Sequence, residues 1–215
     1  PLGPREVPSS IYKSSRSGSV TIGTLGLTGD EQGDRKNHGG PEKAINHYPF
    51  EHYRWWREQY PGLNKGEPFE GAFGENISTF GLTERDICIG DYLRLGTALV
   101  QVSQGRQPCW KLNVRFDDRR MARMVQETGR TGWYYRVLEE GFVAVGDRLT
   151  LEDRPNPDWS LARIGELLYR NPDDYDSLAQ FANLPHLSDS WRTLANKRLK
   201  SRQVESWLSR LDGTQ

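Results

Sequence analysis

The sequence predicts a mainly β fold with added α, a β-barrel followed by a small helical bundle. Three observations carry this reading. From Ser19 to about Asp153 the chain runs in short polar–apolar alternations broken by glycine, the pattern of half-buried strands. After Asp153 the alternation stops and apolar residues recur at helical spacing. The 22 Gly and 12 Pro supply the turns that many short strands need, while 7 Trp, 9 Tyr and 7 Phe supply core volume. The boundary expected from this change of pattern lies after Asp153, giving a barrel domain over 4–153 and a helical domain over 154–215.

The elements follow in order. Ser19 to Leu25 alternates as a strand, and a helix is expected from about Pro49 to Gln59. Asp86 to Leu95 and Ala98 to Ser103 read as strands around a turn at Gly96. A second helix is expected over Asp117 to Glu127. Trp133 to Leu138 and Gly141 to Gly146 read as an antiparallel pair, and Arg148 to Glu152 closes the series. Strands at this spacing favour a barrel over a sandwich. Arg154-Pro155-Asn156-Pro157 reads as a linker. Beyond it, Ser160 is an N-cap for a helix carrying Leu161, Ile164 and Leu168. Asn171-Pro172 starts a second helix with Leu178, Phe181 and Ala182, and Ser188 caps a third with Trp191, Leu194 and Leu199. Val204, Trp207, Leu208 and Leu211 repeat at i, i+3, i+4, i+7 as a last helical face. A bundle of about 60 residues is marginal alone, so it is expected to pack on the barrel.

Composition removes several function classes. The 29 Lys and Arg cancel the 29 Asp and Glu, so global charge makes no case for nucleic acid or an anionic membrane. No window approaches about 18 consecutive apolar residues, so no bilayer span is expected. Two cysteines, Cys88 and Cys109, are too few for a disulfide scaffold and imply a reducing compartment, hence the cytoplasm. The start, Pro1-Leu2-Gly3-Pro4, has neither Met nor an apolar signal core. It reads as a cloning remnant or a trimmed start, and Pro1 to Gly3 are set aside from the fold.

Three polar, glycine-bearing segments interrupt the strands: Gly26 to Gln32 running on to His38-Gly39-Gly40-Pro41-Glu42-Lys43-Ala44, then Phe73-Gly74-Glu75-Asn76-Ile77, then Gln104 to Leu112. Loops on a rigid scaffold concentrate binding and catalysis. Cys109 weighs most. Arg106 and Lys111 flank it in sequence, and nearby cations stabilise a thiolate, the form that attacks electrophiles or binds soft metals. The competing reading is a buried structural thiol, which is also the reading given to Cys88 between Ile87 and Ile89 in a regular strand. His38 before Gly39 and Gly40 is either a ligand contact or a solvated residue in a tight turn. His47 and Glu51 stand i, i+4, and Glu51 adjoins His52, so a carboxylate can orient an imidazole there, or the pair is an ordinary helix-surface pair. Zinc-ligand spacings, P-loops and dinucleotide fingerprints are missing. Lys43, Arg106, Lys111 and backbone amides could hold a phosphate, and Asn76 could bond a heterocycle edge.

Taken together in order, Gly29-Asp30-Glu31-Gln32, His38 to Ala44, Phe73-Gly74-Glu75-Asn76 and Pro108-Cys109-Trp110-Lys111-Leu112 resemble the motifs of MOSC domains, of the bacterial type in which a barrel precedes a three-helix domain, the YiiM type. The similarity runs from about Val20 to Leu211. Two features depart from the pattern: Gly105 stands where relatives often have Pro, and the short N-terminus implies a truncated first barrel strand.

The resemblance implies a molybdenum cofactor, a pterin dithiolene holding molybdenum, with Cys109 as protein ligand to the metal. It implies cofactor contacts from Gly39, Gly40, Lys43, Gly74, Glu75, Asn76, Arg106 and Lys111. The implied activity is reduction of N-hydroxylated compounds, including purine bases such as 6-hydroxylaminopurine, a detoxification of base analogues. Electrons would come from a separate flavin or iron–sulfur reductase, since two cysteines cannot hold a cluster. The proton donor is sought first at His38, with Glu51 or His52 as its partner and Glu75 as a further candidate. A homodimer is a further expectation.

Two other functions compete. Cys109 could carry sulfur or molybdopterin for another enzyme without turnover. Alternatively the cluster Arg192, Lys197, Arg198, Lys200 and Arg202 could enter a nucleic-acid groove. Residues 156–215 carry eight basic and eight acidic side chains, so a solvated helix face is the stronger reading of that cluster. Docking on the barrel, on a second copy or on the reductase, with Trp191 or Trp207 as anchors, suits the domain better.

Overall fold

The computed structural model describes residues 2, 9–31, 39–63 and 69–213. His38 and Gln32 lie outside the described residues, as do Pro1, Gly3 and Pro4. Among those described, eight strands form two antiparallel sheets. The larger contains β3 (Ile45–His47), β4 (Tyr92–Leu95), β5 (Ala98–Gly105), β6 (Trp133–Glu139) and β8 (Leu149–Asp153), in the order β3-β6-β5-β4-β8. The smaller contains β1 (Val20–Gly23), β2 (Gly26–Leu27) and β7 (Gly141–Val143), in the order β2-β1-β7. Only Glu140 separates β6 from β7, so the wall passes from one sheet to the other along almost continuous chain. The described strands thus lie in two sheets joined by this chain, and no closed ring of hydrogen bonds runs through them as the expected barrel would have it.

Strand β5 explains why the sheet forms. Its residues are buried except Leu99, because it lies between β4 and β6 with both faces covered. The β5–β6 ladder slips between Val102 and Gln104, which turns the end of β5 out of register. Expected strands are shortened where turn chemistry wins. Asp86 to Gly90 does not continue β4, because Asp86 and Asp91 side chains bind the backbone amides of Thr83 and Cys88. Cys88 stands between two turns in an isolated antiparallel bridge to Ser160, buried, with its thiol donating to the Pro157 carbonyl.

The helices are α1 (Phe50–Gln59), α2 (Lys111–Phe116), α3 (Met121–Thr128), α4 (Leu161–Tyr169), α5 (Tyr175–Ala182), α6 (Asp189–Ser201) and α7 (Leu208–Asp212). Ser160 and Ser188 cap α4 and α6 as expected, each accepting a backbone N–H three residues on. The second helix starts later than Asn171-Pro172, because Asp174 supplies the N-cap. Helix α2 was not foreseen, nor were β2 and β3. The i, i+3, i+4 face of residues 204–211 is not one helix. Residues 202–206 are irregular, Val204 and Leu208 are exposed, and Leu211 alone is fully buried.

Two apolar clusters organise the interior. One joins the large sheet to α4, α5 and α6 through Val100, Val102, Trp133, Ile164, Phe181 and Trp191. The other gathers Tyr48, Trp56, Phe73, Leu112, Met121 and Leu211 around α1 to α3. Leu2, set aside from the fold reading, is buried in this second cluster. The 154–157 stretch is not a slack linker. Arg154 pairs with buried Asp91 at 2.7 Å, and the Asn156 amide donates to the carbonyls of Ile89 and Pro185. Two of the five bases at 192–202, Arg192 and Arg198, also face inward, while Arg202 is exposed. Arg192 donates to the Ala182 and Leu184 carbonyls, Arg198 bonds Leu168 and Glu205, and Arg202 lies over the Tyr175 ring.

Candidate active site

The site forms where β3, the end of β5 and β6 meet the three loop segments. Asn46 and Tyr134 are direct partners across β3 and β6, so their side chains share a face, opposite that of Ile45–Tyr135 and His47–Trp133. Arg106 follows β5, its amide bonded to the Gly132 carbonyl at 3.0 Å. Cys109 precedes α2, its carbonyl accepting the Leu112 N–H. These side chains line one open cleft with Ile11, Lys13, Asp30, Lys43, Phe73, Gly74, Asn76 and Lys111, with a cavity volume of about 90 Å³.

The charge of this cleft is one-sided. Lys13, Lys43, Arg106 and Lys111 face a single described carboxylate, Asp30, which ion-pairs with Lys13. Arg106 and Lys111 are both buried. Arg106 hydrogen-bonds Tyr134, yet its Nη1 is buried without a hydrogen-bond partner. A buried guanidinium donor with no acceptor is costly, and an anion in the cleft would satisfy it. The buried Asn46 Oδ1, likewise unpartnered, offers an acceptor in the same cleft. The loop walls are fixed by a relay: Asn46 donates from its amide side chain to the Gly74 carbonyl and from its backbone to Asn76 Oδ1, and Asn76 donates to Asp30. Gly74 takes φ of +73°, and a Cβ there would come within 3.1 Å of the Ile11 side chain.

The structure brings together Lys43, Gly74, Asn76, Arg106, Cys109 and Lys111; Gly39, Gly40, Glu51, His52 and Glu75 do not line this cleft, and His38 lies outside the described residues. Gly39 and Gly40 lead into the short 3₁₀ turn Pro41–Lys43 but are not among the lining residues. Glu75 is buried with its carboxylate accepting the amides of Gly71 and Phe73 and the Tyr53 hydroxyl; burial pushes its pKa up, and it fastens its own loop. His52 is not among the residues lining the cleft with Cys109. Its Nε2 lies 2.8 Å from buried Glu84. Glu51 accepts the Gly81 amide at 2.6 Å. The reason is the start of α1: Pro49 opens the helix, so His47 stays in β3 and the His47–Glu51 spacing is not one helical turn. The expected Cys–His–Glu grouping is therefore not formed by Glu51 or His52. Asn46, Tyr134 and Lys13 were not foreseen, and Phe73 was named only as part of its motif. Strict alternation in Trp133-Tyr134-Tyr135 could have pointed to Tyr134, since the middle residue faces away from its two neighbours.

His47 is held between the Tyr135 hydroxyl at 3.0 Å and Thr79 Oγ1 at 3.1 Å. Burial first, and His52 second, pull its pKa down to about 3. An unfolded His titrates near 6.5, so between those values the unfolded chain binds the extra proton and stability falls as pH falls. Folding stability is expected to drop by about 3 kcal/mol between pH 7 and pH 4 from this residue. Denaturant midpoints at the two pH values check this: His47→Gln should flatten the dependence, and an unchanged slope would count against it.

Comparison with known proteins agrees with this architecture. Residues 34–150 match the MOSC domain, and residues 159–202 match a YiiM-like, 3-alpha helix domain. The chain belongs to the MOSC family. Protein YiiM of Escherichia coli (strain K12) is 41% identical over 211 residues, 98% of this chain and 93% of that one. A protein named Reductase from Gibberella moniliformis is 36% identical over 91% of this chain, which spans 35% of that longer protein. The crystal structure of YiiM from Escherichia coli superposes with a TM-score of 0.83 at 37% identity, covering 93% of this chain and 94% of that one. The MOSC segment thus supplies every cleft residue described from Lys43 to Tyr134, and the three-helix segment covers α4 to α6. No helix among the described residues is long and apolar enough to cross a membrane.

Proposed function

We propose that this MOSC protein is a molybdenum-cofactor-dependent reductase of N-hydroxylated compounds, with N-hydroxylated purine bases as one substrate class. The single observation that carries the reading is the buried, unpartnered Arg106 Nη1 in a cation-lined cleft that also presents the Cys109 thiol. These residues fit the group. A soft metal takes a thiolate, and a pterin phosphate takes Arg106, Lys43 and Lys111. Cys109 would ligate the metal, while Asn46 and Asn76 would meet the heterocycle edge. When bound, the cofactor supplies the two-electron couple for the reaction.

The overall change is R–NHOH plus two electrons and two protons giving R–NH₂ and water, with electrons from a separate flavin or iron–sulfur reductase. The protein's part is to bind, orient and deliver protons. Tyr134 and Lys111 line the cleft with Cys109, and either is better placed than Glu51 or His52 to pass a proton to the departing oxygen. Freshly purified protein should contain close to one molybdenum per chain, show pterin fluorescence after oxidation, and turn over an N-hydroxylated purine with a chemical electron donor. Protein holding the cofactor without turnover would make it a carrier; protein with neither would refute the reading.

A further inference from the structure

The loop that presents Cys109 is held from one side by C-terminal residues. Ser190 donates to the Gln104 side chain at 2.9 Å, and the Trp191 ring lies so close to Gly105 that a Cβ there would come within 2.9 Å of it. Gln107 donates to the Tyr169 hydroxyl at 3.1 Å. Arg210 then makes contacts to both neighbours of Cys109. Its guanidinium donates to the Pro108 carbonyl at 2.6 Å, and its carbonyl accepts the Trp110 amide at 2.8 Å. The second guanidinium nitrogen reaches Gln126 of α3 at 2.6 Å, and the next carbonyl, that of Leu211, accepts from Asn113 of α2 at 2.7 Å. Arg210 lies beyond both matched segments, which end at residues 150 and 202.

We infer that Arg210 is a positioning residue: it clamps the peptide groups on either side of Cys109 and so sets where the thiol stands in the cleft. The inference rests on the functional reading above for its chemical consequence, and on geometry alone for the clamp. Short bonds to a charged donor are the stronger kind, and a loop fixed at both flanks loses little entropy when its thiol takes a ligand. Tyr169, Ser190 and Trp191 act with it, which gives the three-helix segment a role at the site that its distance in sequence conceals.

The test uses the purified full-length protein, as wild type, Arg210→Ala and Arg210→Lys, with hydrogen exchange, molybdenum content and melting temperature measured on each. Arg210→Ala keeps the main-chain acceptor of the Trp110 amide but loses the guanidinium bonds to Pro108 and Gln126 that hold this segment down, so the Trp110 amide is expected to open and exchange about tenfold faster or more, with β5 and β6 amides unchanged, and molybdenum per chain should fall several-fold. Arg210→Lys keeps one donor for the Pro108 carbonyl and should recover part of both losses. Unchanged Trp110 exchange overturns the inference. So does faster exchange spread evenly through β5 and β6, or faster Trp110 exchange with full molybdenum content. A wild-type protein without molybdenum sinks the functional reading instead, and the Trp110 exchange result still judges the clamp.

Discussion

Replacing Cys109 with alanine is expected to strip molybdenum from the purified protein and to reduce N-hydroxylamine turnover to background, while moving the melting temperature by no more than a few degrees. The two halves of this expectation come from different facts. Cys109 is only half-buried and lies outside the two apolar clusters, so removing its sulfur leaves no large core cavity and costs about 1 kcal/mol or less. Its value is chemical: it is the one thiol on the cation-lined cleft among the described residues. Oxygen and nitrogen donors nearby do not replace a thiolate for a soft metal. Cys88→Ala is the control. That thiol is buried, burial raises its pKa, and it bonds the Pro157 carbonyl, so its loss should cost stability and leave molybdenum in place. Metal analysis on both variants decides the matter; full metal and full turnover in Cys109→Ala would refute the ligand role.

What could be read beforehand divides along physical lines. Val20 to Gly23 was legible from its alternation, with Ile22 its one buried residue, and Trp133 to Glu139 from its aromatic and branched run, which is buried on both faces at its start. Helices with a side-chain cap were legible as well, as at Ser160 and Ser188, since the cap marks the boundary. Elements fixed by tertiary contact were not. The three residues of β3 have no period of their own and exist because β6 pairs with them. Helix α2 begins at Lys111 without a capping side chain, inside what reads as a binding loop. The same split governs the site. Residues borne by glycine-rich segments, such as Cys109 and Asn76, could be named from the chain. Asn46 and Tyr134 are strand residues whose facing follows only from register, and the partners of His52 and Glu51 lie about thirty residues away, at Glu84 and Gly81. Short-range spacing suggested a histidine–carboxylate pair; long-range packing assigned both residues to holding α1.

One glycine joins the packing to the site, and its replacement should be the most damaging small change in the structure. Gly132 has φ of +71°, and a Cβ added to it would lie 2.3 Å from the His47 carbonyl oxygen. Its amide donates to Glu84 Oε1 at 2.7 Å, and its carbonyl accepts from Arg106. It therefore touches the end of β3, the buried His52–Glu84 pair and the residue that carries the free guanidinium donor. In Gly132→Ala the left-handed backbone costs about 1–2 kcal/mol. The clash adds more, because the atom it meets is backbone in a paired strand and cannot swing aside; together about 3–5 kcal/mol is expected. For a chain of this size that lowers the melting temperature by roughly 10 °C. Gly129→Ala isolates the first part. Gly129 has φ of +70°, but nothing lies within 4 Å of its Cβ position. It should lose only about 1–2 kcal/mol, from the backbone conformation alone. Equal losses in the two variants would mean that the β3–β6 approach is not tight, and that Arg106 is not held by it.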